Sequence, residues 1–163
     1  HQGAIRVDSR PGEGTTFTVL FRAITPVQQP REKKERQPRS AVPGTTILVV
    51  DDEATVRDVT RSMLETTGYR VLTAADGMEC IEIFERHREE IALVLLDTSM
   101  PAMDGIDCLR ALRRIQPDVR VILSSGYDRE EVVSRFRGEQ AQAFIQKPYR
   151  LGTLADLVHQ TLA

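Results

Sequence analysis

An apolar run ends on an acid in the segment Val94-Leu95-Leu96-Asp97, and the chain continues as Thr98-Ser99-Met100-Pro101-Ala102-Met103-Asp104-Gly105. The run begins at Ile91 and reads as a strand buried on both faces, as in a parallel sheet. Asp97 then lies at the carboxyl end of the strand, where open α/β sheets place their ligands. Pro101 and Gly105 indicate a loop, and Asp104 can cap the helix that follows.

The composition of the 163-residue chain is that of a soluble globular protein, with 40% hydrophobic and 28% charged residues. A formal charge of -2 gives no general attraction for nucleic acid, and no apolar run is long enough to span a membrane. We therefore expect a cytoplasmic fragment without nucleic-acid or membrane contact. Because the chain begins at His1 rather than Met, we expect a fragment or a processed product, whose parent is free to carry a membrane anchor upstream.

Residues 1–22 alternate apolar and polar side chains, which predicts a β-hairpin. Its turn is Pro11-Gly12-Glu13-Gly14. The alternating apolar positions are Ile5, Val7, Phe17, Val19 and Phe21. A single hairpin is too small to be stable in water, so we expect it to belong to a larger domain.

Residues 23–44 predict a solvated linker rather than a folded element. Four prolines interrupt the segment, and no apolar periodicity survives. The charged run from Arg31 to Arg36 mixes both signs without an interleaved aromatic residue, which argues against a nucleic-acid patch.

From residue 45 to residue 163 the pattern changes to alternating strands and helices, which favours a parallel sheet covered by helices on both faces. The predicted strands are 46–50, 70–73, 91–96, 119–123 and 143–146, and the predicted helices are 54–67, a segment capped by Asp76, 105–114, 129–137 and 150–162. Right-handed crossovers favour a flavodoxin-like (βα)5 three-layer sandwich with strand order 2-1-3-4-5.

Two details of the helices are predicted from spacing. The first helix should bury one stripe of side chains, formed by Val56, Val59, Met63 and Leu64. Cys80 and Cys108 both fall in helical patterns, so we expect two small buried residues in a reducing compartment. A disulfide or a metal pair is the less favoured interpretation.

The predicted topology brings three carboxylates, Asp51, Asp52 and Asp97, to one edge of the sheet. Packed carboxylates repel unless a cation neutralises them, and oxygen ligands without His or Cys favour Mg²⁺. The fourth and fifth strands deliver Ser125 and Lys147 to the same edge. A lysine, a hydroxyl and a divalent ion around one carboxylate are suited to phosphoryl transfer.

Residues 45–163 resemble a response-regulator receiver domain of two-component signalling. The matching motifs are Asp51-Asp52, Asp97 with Met100-Pro101-x-Met103-Asp104-Gly105, Ser125-Gly126 and Lys147-Pro148. The resemblance implies that Asp97 accepts a phosphoryl group from a phosphohistidine. It implies Mg²⁺ held by Asp52, by Asp51 largely through water, by Asp97 and by the Ser99 backbone carbonyl, with Lys147 on the phosphoryl oxygens.

The same resemblance implies a conformational switch. Ser125 would move toward the phosphoryl group and Phe144 would rotate inward, and the Lys147-Pro148 peptide bond is expected to be cis. The family often has Thr at the Ser125 position and Tyr at the Phe144 position. A purely structural role for Phe144 as a core aromatic stays open.

The string from Gly3 to Phe17 resembles the final hairpin of the ATP-binding domain of sensor histidine kinases. The ATP lid, the metal-binding Asn and the phospho-accepting His helix of that family do not occur in the 163 residues, so we expect no ATP binding by the kinase route and leave the enzyme class open. Hairpin, linker and receiver together resemble the C-terminal part of a hybrid sensor histidine kinase. The implied partner is a histidine kinase or a His-containing phosphotransfer domain.

Two other interpretations remain open. A receiver-like interaction module could signal without phosphorylation, and a flavodoxin-like FMN protein would need a phosphate-binding loop where Asp51 and Asp52 stand.

The receiver resemblance also implies a homodimer through the face formed by the predicted fourth helix, fifth strand and fifth helix.

Overall fold

The computed structural model describes residues 3–21, 44–127, 132 and 141–163. These residues belong to two compact units, one formed by the N-terminal hairpin and the other by the residues from 44 onward. The predicted linker lies outside the described residues except for its last residue, and the predicted helix 129–137 does so except for the buried Val132. The predicted domain boundaries after residues 22 and 44 stay predictions.

The N-terminal unit is the predicted hairpin. Strands β1 (Gly3–Arg10) and β2 (Gly14–Phe21) pair in antiparallel register. Gly12 and Gly14 have positive φ angles of 81° and 104°, which glycine adopts without steric cost, and they close the turn. The alternating apolar side chains lie on one face of the ribbon and are all exposed, by 48% to 81%: Ile5, Val7, Phe17, Val19 and Phe21.

The second unit is built on a parallel five-stranded sheet. Its strands are β3 (Thr46–Val50), β4 (Arg70–Ala74), β5 (Ile91–Asp97), β6 (Val121–Ser125) and β7 (Ala143–Gln146). They lie in the order β4-β3-β5-β6-β7, which confirms the predicted order 2-1-3-4-5. Strand β6 begins two residues later than predicted and includes Ser125.

Helices cover both faces of this sheet in the described part of the chain. They are α1 (Ala54–Thr66), α2 (Gly77–His87), α3 (Gly105–Ile115) and α4 (Leu151–Leu162). One buried cluster unites Phe84 of α2 and Leu109 of α3 with one face of the sheet. A second cluster unites Leu64 of α1 and Leu154 of α4 with the other face, which gives the predicted three-layer sandwich.

The stripe predicted for the first helix is wrong at Val59, which is 48% exposed. The buried positions of α1 are Thr60 and Leu64. The buried Thr60 hydroxyl is satisfied by a hydrogen bond of 2.7 Å with the Tyr149 hydroxyl, just before α4. An apolar pattern cannot anticipate this pair, because its polar partners lie on different elements.

Cys80 and Cys108 are free and fully buried in α2 and α3, as predicted. A hydrogen bond with Cys108, together with burial, raises the pKa of the Cys80 thiol above its ordinary range. Both side chains belong to the buried cluster that contains Phe84 and Leu109, so the pair packs in the core.

Candidate functional site

The predicted carboxylates meet where β3 and β5 end. Val50 and Leu96 are register partners in these parallel strands, so Asp51 and Asp97 follow side by side. Carboxylate oxygens of Asp51, Asp52 and Asp97 all lie within 4.8 Å of one another. Asp51 and Asp97 are buried, and Asp52 is exposed at the mouth of the cluster.

Lys147 reaches the same cluster from the end of β7. Its Nζ lies 2.6 Å from Asp51 Oδ2 and 3.1 Å from Asp97 Oδ1. The Lys147 backbone N–H donates to the Ser125 carbonyl at 2.7 Å, which fixes the chain just before the cis Lys147-Pro148 bond. The ammonium group therefore bridges two of the three carboxylates.

Burial and charge act in opposite directions at this cluster. Burial raises the pKa of the Asp97 carboxyl above its ordinary value, and the positive charge of Lys147 offsets this only in part. Burial also acts to lower the pKa of Lys147, but hydrogen bonds and charge from Asp51 and Asp97 outweigh it, so the pKa of Lys147 lies above its ordinary value. Lys147 is therefore a protonated cation at neutral pH.

The backbone around Asp51 is held by hydrogen bonds from both sides. Asp51 Oδ1 accepts from the Glu53 N–H at 3.1 Å, and the Asp51 N–H donates to the Ala74 carbonyl at 3.2 Å. Arg57 of α1 donates its Nη1 to the Asp51 carbonyl at 2.5 Å. This contact ties the first turn of α1 to the acidic edge.

The start of α3 packs directly against the end of β5. Asp104 caps the helix by accepting from the Ile106 and Asp107 N–H groups, both at 2.9 Å. A Cβ atom on Gly105 would lie only 2.6 Å from the Asp97 carbonyl oxygen. Glycine is therefore required at this position for the helix to approach the acid.

Ser125 lies fully buried one strand away from Asp97. Its Oγ accepts hydrogen bonds from Thr98 Oγ1 at 2.8 Å and from the Tyr127 N–H at 3.2 Å. Phe144 is half-buried on β7, where it packs against the cluster that contains Leu123. Ser99 is exposed in the loop after β5.

Comparison with known protein families decides the identity of this unit. Residues 47–159 match the response regulator receiver domain. The chain belongs to the response regulator receiver family. The predicted fold of this receiver and its place in phosphorelay signal transduction are thereby confirmed.

The relatives of this receiver come from several kinds of signalling protein. It is 35% identical to Sensor kinase CckA of Brucella abortus over 98% of this chain but only 18% of the relative's length. It is 30% identical to Sporulation initiation phosphotransferase F of Bacillus subtilis, over 71% of this chain and 92% of the relative. Chemotaxis protein CheY of the same species is 31% identical over 71% of this chain and 96% of the relative.

Solved structures agree with these relatives. A receiver domain protein from Clostridium thermocellum superposes with a TM-score of 0.68 at 30% identity, covering 72% of this chain and 94% of that one. The CheX-CheY-BeF3-Mg complex from Borrelia burgdorferi contains a chain with a TM-score of 0.67 at 32% identity, covering 73% of this chain and 90% of that one. Among the described residues, no helix has the length and apolar character needed to cross a bilayer.

The receiver structure brings together most of the residues that the sequence singled out, and it adds others. Asp51, Asp97 and Lys147 are in direct contact, while Ser125 hydrogen-bonds to Thr98 instead. Sequence reasoning missed both Thr98 and Arg57. The sequence did contain one indication for Thr98, because a hydroxyl-bearing residue directly after Asp97 lies at the same sheet edge.

Proposed function

We propose that Asp97 is the phosphoacceptor of this receiver. The observation that supports it is the contact of a buried carboxylate with Lys147 at the carboxyl edge of the sheet. A carboxylate oxygen of Asp97 attacks the phosphorus of a phosphohistidine, and the P–N bond breaks with its electron pair left on the imidazole nitrogen. Lys147 neutralises the phosphoryl oxygens that pass between donor and acceptor.

The cluster fits Mg²⁺, because its donors are oxygens and lie within 4.8 Å of one another. Asp52 and Asp97 would bind the ion directly, Asp51 largely through water, and the Ser99 backbone carbonyl would add a further ligand. When bound, the ion neutralises charge on the carboxylates and on the transferring phosphoryl group. Hydrogen bonds to both Asp51 oxygens and to its carbonyl keep that residue oriented for this role.

The response to phosphorylation is proposed to run through Ser125 and Phe144. A phosphoryl group on Asp97 adds acceptor oxygens near Ser125, whose hydroxyl can donate to them. Its movement opens space that Phe144 can fill from β7. Ser125→Ala should then still accept phosphate on Asp97 but lose most of the response around Phe144 to beryllofluoride, measured by backbone amide NMR shifts.

The decisive experiment for phosphoacceptance is labelling by acetyl phosphate with and without Mg²⁺. Wild type should gain one phosphoryl group per chain only with Mg²⁺, and Asp97→Asn should gain none. Asp58→Asn is the matched control, because Asp58 is an exposed acid on α1 whose ion pair is with Arg61. Equal labelling of wild type and Asp97→Asn would reject Asp97. No labelling of wild type would favour the interaction module that works without phosphate.

The metal assignment has its own test. Asp52→Asn should weaken Mg²⁺ binding sharply in a titration, while Asp58→Asn should leave the affinity near that of wild type. Saturating Mg²⁺ should also raise the thermal stability of wild type, because the ion relieves repulsion among folded carboxylates. Unchanged Mg²⁺ affinity in Asp52→Asn would reject Asp52 as a direct ligand.

We further propose that the parent chain is a hybrid sensor histidine kinase. Similarity to Sensor kinase CckA extends over 98% of this chain and therefore includes hairpin residues as well as the receiver. The exposed apolar face of the hairpin suits the last two strands of a larger kinase ATP-binding domain. The receiver would then take phosphate from the kinase histidine or from a His-containing phosphotransfer domain, in the cytoplasm.

Amide hydrogen exchange tests this assignment of the hairpin. In the 163-residue chain, the amides of β1 and β2 should exchange quickly, because two strands alone are marginally stable. In the parent chain with its preceding residues, the same amides should become protected. Equal protection in both chains would argue against a shared sheet.

The predicted homodimer has a separate test, which is the molecular mass of the assembly in solution, measured with and without beryllofluoride.

A further inference from the structure

Two buried hydroxyls lie directly beside the phosphoacceptor position. Thr98 follows Asp97 in the chain, and the pairing of Asp97 with Ser124 places Thr98 next to Ser125. Thr98 Oγ1 donates to Ser125 Oγ at 2.8 Å, and the two residues are only 7% and 0% exposed. A hydrogen bond closed off from water in this way is not easily replaced by solvent.

Thr98 is the fixed member of this pair. Its N–H donates to the Ser124 carbonyl at 3.0 Å, and its carbonyl accepts from the Gly105 N–H at 3.4 Å. The Gly105 backbone approaches so closely that an added Cβ would lie 2.8 Å from Thr98 Cα. The β-branched side chain of threonine is itself stiff at χ1. The Ser125 backbone is held as well, because its carbonyl accepts from the Lys147 N–H at 2.7 Å, but its side chain lacks the second branch. When the two hydroxyls separate, the Ser125 side chain is therefore the one that rotates.

The hydrogen bonds of Ser125 show what such a movement breaks. A serine hydroxyl has one proton to donate and two lone pairs that accept. The lone pairs of Ser125 accept from Thr98 Oγ1 and from the Tyr127 N–H, which leaves the proton as the group that a phosphoryl oxygen can use. The movement toward Asp97 proposed above would use that proton and stretch the bond from Thr98.

We propose that Thr98 is a positioning residue that holds Ser125 in its resting place and thereby sets the balance between the resting and switched conformations. The inference rests on the proposed function, because it takes Ser125 as the hydroxyl that moves. A bond made only in the resting state biases the equilibrium toward that state. The net worth of one such neutral hydrogen bond corresponds to roughly a 2- to 10-fold change in the population ratio.

Matched substitutions of Thr98 in the full 163-residue chain separate the hydroxyl from its packing. Thr98→Val keeps the branched shape but removes the hydroxyl that donates. Thr98→Ala removes the hydroxyl and the branch, and Thr98→Ser keeps the hydroxyl without the branch. Backbone amide NMR shifts at Tyr127 and Phe144 are recorded for wild type with and without Mg²⁺ and beryllofluoride, which defines the two end positions. Without beryllofluoride, the amide shifts of Thr98→Val and Thr98→Ala should lie closer to the switched end than those of wild type. The displacement should correspond to a rise of roughly 2- to 10-fold in the ratio of switched to resting chains. Thr98→Ser should stay near wild type.

Thr98→Val in a Ser125→Ala background tests whether the effect of the substitution passes through the hydrogen bond or through altered packing. There the hydrogen bond is already gone, so adding Thr98→Val should move the resting shifts no further. The inference is overturned if Thr98→Val leaves the shifts of the otherwise wild-type chain in place, if Thr98→Ser fails to restore them, or if Thr98→Val has the same effect with and without Ser125. A wild-type chain that shows no response to beryllofluoride would instead overturn the proposed function, and this inference with it.

Discussion

Gly105→Ala is the substitution whose cost follows most directly from the structure. The new Cβ would lie 2.6 Å from the Asp97 carbonyl oxygen and 2.8 Å from Thr98 Cα. Both are backbone atoms, so the clash is relieved only by moving the start of α3 or the end of β5. Overpacking of this kind costs about 1–3 kcal/mol. The reduced freedom of the unfolded chain offsets about 0.4–1 kcal/mol, which leaves a net loss of about 1.3 kcal/mol at the middle of both ranges.

Urea unfolding of matched glycine variants measures this loss. For a slope of about 2 kcal/mol per molar urea, the middle of the usual range, Gly105→Ala should lower the midpoint by roughly 0.65 M. Gly152→Ala is the control without a clash, since no atom of the described residues beyond its chain neighbours and its own helix backbone lies within 4 Å of its Cβ. This variant should gain up to about 1 kcal/mol in stability. Gly77→Ala should fall between them, because the three atoms nearest to its Cβ all belong to the Met103 side chain, at 2.8–2.9 Å, and that side chain can rotate.

The same substitution should also impair the site. A displacement of about 1 Å in a reacting group can slow a reaction by up to about 100-fold, so labelling of Gly105→Ala by acetyl phosphate should slow by about tenfold or more. Gly152→Ala should be labelled at the wild-type rate. The reasoning is refuted if Gly105→Ala unfolds at the same urea concentration as Gly152→Ala, because the backbone approach would then impose no constraint.

Three further predictions concern stability and the division of the chain. Thr60→Val and Tyr149→Phe should each lower the free energy of unfolding, measured in urea, by about 0.5–1.5 kcal/mol. The double variant should lose less than the sum of the two, and strictly additive losses would contradict a direct bond. Burial raises the pKa of Tyr69 above its ordinary 10.0, so the folded chain keeps that proton to higher pH than the unfolded chain. Stability should therefore fall as pH rises through about 10, and Tyr69→Phe should flatten that fall in unfolding curves from about pH 8 to 11. Deleting residues 1–44 should leave a folded receiver by circular dichroism and NMR, and an unfolded product would reject the boundary near residue 45.

The sheet could be predicted closely because each strand has a local signature. Buried parallel strands are apolar throughout, and in β3 and β5 the apolar run ends at an acid that marks the strand end. Turn residues and caps were equally local: Asp76 accepts from the Glu79 N–H at 2.8 Å, and Glu79 in turn accepts from the Ala75 N–H at 2.7 Å. Strand order then followed from handedness rather than from any single residue.

Two of the contacts that sequence missed share one property, which is that both partners are polar and lie far apart in the chain; the third, from Arg57 to the Asp51 carbonyl, spans only six residues. Thr60 hydrogen-bonds to Tyr149, 89 residues away, and Thr98 reaches Ser125 across 27 residues. Each contact depends on the exact register or crossing of two elements, which periodicity does not specify. Val59 was misassigned for the complementary reason, because an apolar side chain on a helix can face solvent at modest cost.

The charges of the site explain why its parts depend on one another. With Asp51, Asp52 and Asp97 ionised, Lys147 neutralises only one of three negative charges, and a divalent cation matches the remaining two. On the proposed mechanism, phosphorylation replaces the single charge of Asp97 by a phosphoryl group that carries between one and two negative charges near neutral pH. The phosphorylated site therefore attracts the cation more strongly than the resting site does. By thermodynamic reciprocity the bound cation favours the phosphorylated state by the same factor, so a single coupling free energy links metal binding to phosphorylation.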